Sequence, residues 1–268
     1  MKDGSAAHWR RGHAAALAAV SVVVALLAMA LWPSTGNPGS AAGGSLRGPA
    51  QSALEVPKPE ILGGDSHMSL WSVVRRPTTA RATPGRAGVA VTRLAPRTPE
   101  GTANTLLILD RTHDATGRVW VRARLPVLPN GTTGWLPRSA IGGYRSVNTR
   151  LVIDRRRFRA ILLRDGRPVM RARIGIGLSH WPTPRGRFYV RSKLVRYRSS
   201  FYGPVAFGTS ARSAVLTDWP GGGFIGIHGT NQPGLLPGRV SHGCIRMRNA
   251  DIVRLGRLMP VGTPMEVV

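Results

Sequence analysis

The chain of 268 residues carries 38 Lys+Arg against 12 Asp+Glu, for a formal net charge of +26, together with 33 Gly, 21 Pro and one cysteine. Its 42% apolar content can build at least one sizeable core, which excludes full disorder. A single cysteine excludes both an intramolecular disulfide and a Cys-rich tetrahedral zinc site. The charge is almost all arginine and is spread along the chain: +1 over residues 1–65, +9 over 66–145 and +16 over 146–268. Nucleic-acid binders more often gather Lys and Arg in a tail, patch or motif, and no zinc finger, aromatic RNA-binding signature or basic zipper is present. No nucleic-acid partner is expected.

The N-terminus points to a compartment. After a polar stretch containing Arg10 and Arg11, Ala14 to Trp32 runs nineteen residues without a formal charge. At ~1.5 Å rise per residue such a run approaches the ~30 Å of bilayer hydrocarbon. Basic residues before it and none immediately after predict a cytoplasmic N-terminus and an exported remainder. Ala28-Met29-Ala30 also fits the small-residue pattern of a signal-peptidase site. Residues 1–32 are therefore expected to be a signal peptide or an uncleaved membrane anchor, and the rest to lie in the extracytoplasmic envelope. Residues 33–65, rich in Gly, Pro, Ala and Ser, read as a flexible linker whose burial cannot offset its ordering entropy.

Residues 66–145 read as a small β module. Short apolar stretches at Ser72-Val73-Val74, Gly88 to Val91, Thr105 to Leu109 and Val119 to Ala123 are divided by turn residues such as Pro99-Glu100-Gly101 and Pro129-Asn130-Gly131. Trp120 and Trp135 fit core aromatics better than a ligand platform.

Residues 146–268 carry the chemistry. Phe158 to Leu163 and Pro168 to Ile176 flank Asp165-Gly166, a strong hairpin signal. Further strands are expected at Phe188 to Val190, Phe224 to Ile227 and Thr263 to Val268. A short helix over about Ala250 to Met259 would be capped by Asn249, with Asp251 favourable in its first turn. The only cysteine lies in Ser241-His242-Gly243-Cys244, fourteen residues after His228-Gly229. A thiolate is the reactive form of cysteine, and an imidazole can take its proton or stabilise it as an ion pair. The N–H groups around Gly243 and Cys244 could then stabilise an oxyanion, which suits acyl transfer through a thioester. Three other readings stay open on the residues alone: Cys244 as a small buried hydrophobe, the histidines as surface or core groups, and a metal site from His228, His242 and Cys244.

These motifs identify a resemblance. The segment from about Leu151 to Val268 resembles the L,D-transpeptidase catalytic domain family through His228-Gly229, Ser241-His242-Gly243-Cys244, Pro182-Thr183-Pro184-Arg185-Gly186-Arg187-Phe188-Tyr189 and Gly262-Thr263-Pro264. Many family members carry Asn where this chain has Arg246, whose planar fork suits a substrate carboxylate. The run from Val119 to Pro137 resembles a bacterial SH3-like module. The resemblance implies a mainly β protein: a mixed β-sandwich with one short helix, preceded by a small SH3-like barrel. It further implies a peptidoglycan cross-linking enzyme that needs no metal or organic cofactor. Cys244 would be the nucleophile and His228 the base, its ring oriented by the Gly229 carbonyl. His242, Gly243 and Ser241 would shape the oxyanion pocket, and Tyr202 would lie in a flap over the substrate. Partners would be peptidoglycan stem peptides, with the positive charge favouring anionic wall polymers and lipid head groups. Hydrolysis of the same bond, as an L,D-carboxypeptidase, and a catalytically silent cationic wall binder are the rival functions.

Overall fold

The computed structural model describes residues 58–62, 67–195, 201–216 and 223–268, all within one unit, Leu54–Val268. The expected N-terminal span and most of the linker lie outside the described residues. Among the described residues, no helix is long and apolar enough to cross a membrane.

The first eight strands are β1 (Glu60–Ile61), β2 (Ser69–Val73), β3 (Thr78–Arg81), β4 (Ala90–Leu94), β5 (Thr105–His113), β6 (Val119–Arg124), β7 (Thr133–Pro137) and β8 (Arg145–Val147). They form an antiparallel sheet in the order β4-β3-β7-β6-β5-β2-β8, with β1 pairing β5. β1 lies inside the stretch read from sequence as linker, and its Glu60 pairs with both the Nε and an Nη of Arg111. Leu106, Ile108, Val121, Ala123 and Leu136 form the core of this sheet. Trp120 and Trp135 are both buried, and the Trp120 indole N–H donates to Asp114 at 2.7 Å, so both serve the core.

A second mixed sheet follows. Its strands are β9 (Thr149–Asp154), β10 (Arg159–Arg164), β11 (Arg167–Gly177), β12 (Gly186–Val195), β13 (Val205–Arg212), β14 (Phe224–His228), β15 (Gly238–Ser241), β16 (Ile245–Met247) and β17 (Pro264–Val267). The order is β10-β9-β17-β12-β13-β14-β16-β11-β15, and an added β10–β11 pairing closes the path on itself. The β10–β11 hairpin turns at Asp165-Gly166, where φ is +49° and +74°, the conformation that two-residue hairpin loops demand. Ile153, Leu162, Ile174, Phe188, Ile227 and Ile245 fill the interior, and α1 (Asn249–Leu258) seals it with Ile252 and Leu255.

The expected N-cap is corrected. Arg248 occupies that position, and Asn249 is the first helical residue. The Asn249 side chain is engaged elsewhere, accepting from the Thr230 N–H at 3.0 Å. This ties the helix start to the turn that follows His228.

The two sheets meet through buried polar contacts. The Tyr189 hydroxyl donates to the Thr105 carbonyl at 3.0 Å. The Asn130 amide both donates to the Arg212 carbonyl (2.7 Å) and accepts from the Arg212 N–H (3.0 Å).

Candidate active site

β14 and β16 run parallel with Ile227 opposite Ile245 and His228 opposite Arg246, so Gly226 stands level with Cys244, just before β16. Side chains two residues apart on a strand share a face. His228 and Cys244 therefore face one side, with Gly226 between them. A Cβ on Gly226 would lie 3.8 Å from Cys244 Sγ and 3.9 Å from His228 Cδ2, so sulfur and ring both border the space beside this glycine. The Gly226 N–H also donates to Sγ at 3.4 Å.

His228 is 2% exposed, and its Nδ1 sits 2.7 Å from the Gly229 carbonyl oxygen. A carbonyl only accepts, so Nδ1 carries the proton and Nε2 is left with its lone pair. Gly229 is sterically required: a Cβ there would stand 2.3 Å from Asn249 Oδ1. Burial, reinforced by the positive charge of Arg246, pushes the His228 pKa down to about 4, against the raising effect of the Gly229 carbonyl. Burial likewise pushes the Cys244 thiol up, opposed by the Gly226 N–H and by Arg246. Near neutral pH the pair is therefore a thiol facing a neutral imidazole. Of the two options left open by sequence, this favours proton transfer during attack over a standing ion pair.

The Ser241–Cys244 loop is braced from inside. Ser241 Oγ accepts from the Gly243 N–H (3.1 Å) and donates to the Cys244 carbonyl (2.6 Å). Gly243 takes φ +114°, open to glycine but strained for other residues. The Gly243 N–H is thus already engaged with Ser241. His242 stacks on Trp181 with centroids 4.1 Å apart.

A cleft of about 100 Å³ opens over these groups, lined by Phe201, Tyr202, Phe224, His228, Cys244 and Arg246 among others. The Tyr202 ring meets His228 edge-on at 4.6 Å. Arg246 is buried, its guanidinium 4.7 Å from the Phe201 ring, and none of its nitrogens lies within 4 Å of a carboxylate among the described residues. All eight residues singled out in the sequence thus fall on one cleft or on the loops that shape it. No three metal-ligating side chains converge among the described residues, so His228, His242 and Cys244 do not form a ligand set. Sequence reasoning passed over Trp181, whose contact spans 61 residues, read Asn249 as a helix cap rather than as the partner of Thr230, and gave Thr183 no role.

A cysteine just before β16 and a histidine at the end of β14, its parallel neighbour, thus border one cleft. Residues 148–267 match the sequence profile of the L,D-transpeptidase catalytic domain, YkuD. Curated L,D-transpeptidase relatives include YkuD of Bacillus licheniformis, 34% identical over 95 residues (30% of this chain, 58% of the relative). YqjB of Bacillus subtilis is 36% identical over 89 residues (30% and 49%). The chain spans about half the length of these Bacillus relatives. Among solved structures, the catalytic domain of an E. faecium L,D-transpeptidase is 25% identical, covering 45% of this chain and 96% of that one, with a TM-score of 0.34.

Proposed function

We propose that this protein is an extracytoplasmic peptidoglycan L,D-transpeptidase that forms 3-3 cross-links through a thioester on Cys244. The observation that carries the reading is that a single point beside Gly226 lies 3.8 Å from Cys244 Sγ and 3.9 Å from His228 Cδ2, so a thiol and an imidazole protonated on Nδ1 border the same small space. Cys244 Sγ attacks the carbonyl of the third residue of a tetrapeptide stem as its proton passes to His228 Nε2. The Cys244 N–H stabilises the oxyanion. Collapse expels the terminal D-alanine, whose amine leaves with the proton from His228. A side-chain amine of a neighbouring stem then attacks the thioester, giving up a proton to His228, and the thiol is restored. Arg246 holds a substrate carboxylate, and Tyr202 covers the bound stem beside His228. Residues 1–32 anchor or export the chain, 33–65 space it from the membrane, 66–145 act as an SH3-like module and 146–268 carry catalysis. The unbalanced arginines attract anionic wall polymers by Coulomb attraction.

Intact-mass analysis after incubation with an acylating β-lactam tests the nucleophile. The expected result is one adduct on the wild-type chain and none on Cys244→Ala. A folded wild-type protein that stays unmodified sinks the proposal. Muropeptide products then separate outcomes: cross-linked dimers show transfer, and shortened stems alone show a carboxypeptidase. Wall binding without either product shows a silent binder.

A further inference from the structure

The loop joining β11 to β12 approaches the Ser241–Cys244 loop from behind the cleft. Thr183 stands between Pro182 and Pro184, and a residue before proline is held in extended backbone, which presets its side-chain direction. Its hydroxyl is 1% exposed and fully engaged: it donates to the Gly243 carbonyl at 2.7 Å and accepts from the Gly177 N–H at 2.9 Å. The Arg155 guanidinium donates to the Thr183 carbonyl at 2.7 Å, fixing the same residue from its backbone side. Gly177 makes the approach possible, since a Cβ there would stand 2.9 Å from Gly243 Cα and 2.6 Å from the Thr183 nitrogen.

In a trans peptide the C=O and the following N–H point in opposite directions. Holding the Gly243 carbonyl toward buried Thr183 therefore turns the Cys244 N–H away from it, to the side where Cys244 lines the cleft. Two neighbouring groups of the loop are already tied, the Gly243 N–H and the Cys244 carbonyl, both to Ser241 Oγ. The Cys244 N–H donates to no other described residue.

Resting on the acyl-transfer reading above, we propose that Thr183 is the positioning residue of the oxyanion site, its hydroxyl fixing the plane of the Gly243–Cys244 peptide so that the Cys244 N–H meets the developing oxyanion. Such a role is separable from exposure of the thiol. Acylation by a β-lactam passes through a tetrahedral oxyanion and needs the donor. Alkylation by iodoacetamide is a displacement at saturated carbon, forming no oxyanion.

The full chain is compared with Thr183→Val and Thr183→Ser, scoring β-lactam acylation and iodoacetamide alkylation of Cys244 by intact mass. Thr183→Val is expected to slow maximal acylation by about 10- to 100-fold, below the loss from deleting an oxyanion donor outright because this donor is tilted rather than removed. The β-lactam concentration for half-maximal rate and the alkylation rate should stay within about 3-fold. Thr183→Ser should regain most of the acylation rate. Thr183→Ala carries the same expectation as valine and replaces it if the valine chain does not fold. Undiminished acylation in the hydroxyl-free variants overturns the assignment, as does an equal fall in acylation and alkylation. A wild-type chain that alkylates but never acylates overturns instead the reading on which the assignment rests.

Discussion

At the scale of single residues, the chemistry turns on how burial sets two protonation states. The Cys244 thiol is raised and the His228 imidazole lowered, both first by desolvation, so neither is charged near pH 7. Two consequences differ in sign. Alkylation of Cys244 in the folded chain should gain rate only above the ordinary thiol range, a midpoint readable from iodoacetamide rates against pH. With His228 as the proposed base, acylation should persist down to a midpoint near pH 4, well below the ~6.5 of a free imidazole. A midpoint near 6.5 would show that the ring is not desolvated in solution. Gly226 supplies a second check. A Cβ there makes only ordinary contacts, 3.4 Å to the Phe207 carbonyl and 3.8 Å to Sγ, so Gly226→Ala should fold with a melting temperature close to wild type. Standing between sulfur and imidazole, the methyl should lower acylation by about 10-fold or more, since small displacements of reacting groups carry large rate losses.

At the scale of elements, the site is the product of one parallel pairing and two loops. The pairing was partly legible. Phe224-Ile225-Gly226-Ile227 reads as a strand leading into His228, and Ser241-His242-Gly243-Cys244 marks a candidate reactive loop whose cysteine the residues alone could also place as a small buried hydrophobe. Asp165-Gly166 likewise named its hairpin, because turn chemistry is local and needs only two residues. What sequence did not reveal are the contacts made across the fold. Thr183 reaches Gly243 over 60 positions, and no periodicity encodes that. The helix start shows the same limit. Local rules favour Asn249 as an N-cap, but tertiary structure offers its side chain the Thr230 N–H instead. That exchange makes α1 a support for the His228 turn. Asn249→Ala should therefore cost about 1 kcal/mol by leaving the Thr230 N–H without its acceptor. It should also reduce acylation more than alkylation, by loosening the Gly229 carbonyl that holds Nδ1. Urea unfolding and the two rates measured side by side would reveal a purely structural role as a stability loss with no change in their ratio.

At the scale of the whole molecule, two charge effects pull on stability. The first comes from His228. Its folded pKa of about 4 lies below the unfolded value near 6.5, so below pH 6.5 the unfolded chain binds a proton that the folded chain refuses. Stability falls as pH drops from about 6.5 to about 4, by up to roughly 3 kcal/mol at the lower end, and that slope should shrink in His228→Gln. The second effect is the unbalanced positive charge. The chain holds +26, while four ion pairs join its described residues, Arg111–Glu60, Arg122–Asp110, Arg157–Asp154 and Arg187–Glu266. Exposed pairs contribute about 0–1 kcal/mol each, and the Arg122 pair to buried Asp110 is screened little by salt, so the attraction that salt can remove is small. The repulsion that salt can remove is spread over the 26 positive charges in excess, and at 0.15 M the screening length of about 8 Å is short enough to weaken it. Raising sodium chloride from about 20 to 300 mM at pH 7 should therefore raise the melting temperature by several degrees, the scale on which about 1–2 kcal/mol registers for a domain of this size. Calorimetry across that salt series decides it, and a melting temperature that falls would mean that the ion pairs outweigh the surplus of arginine.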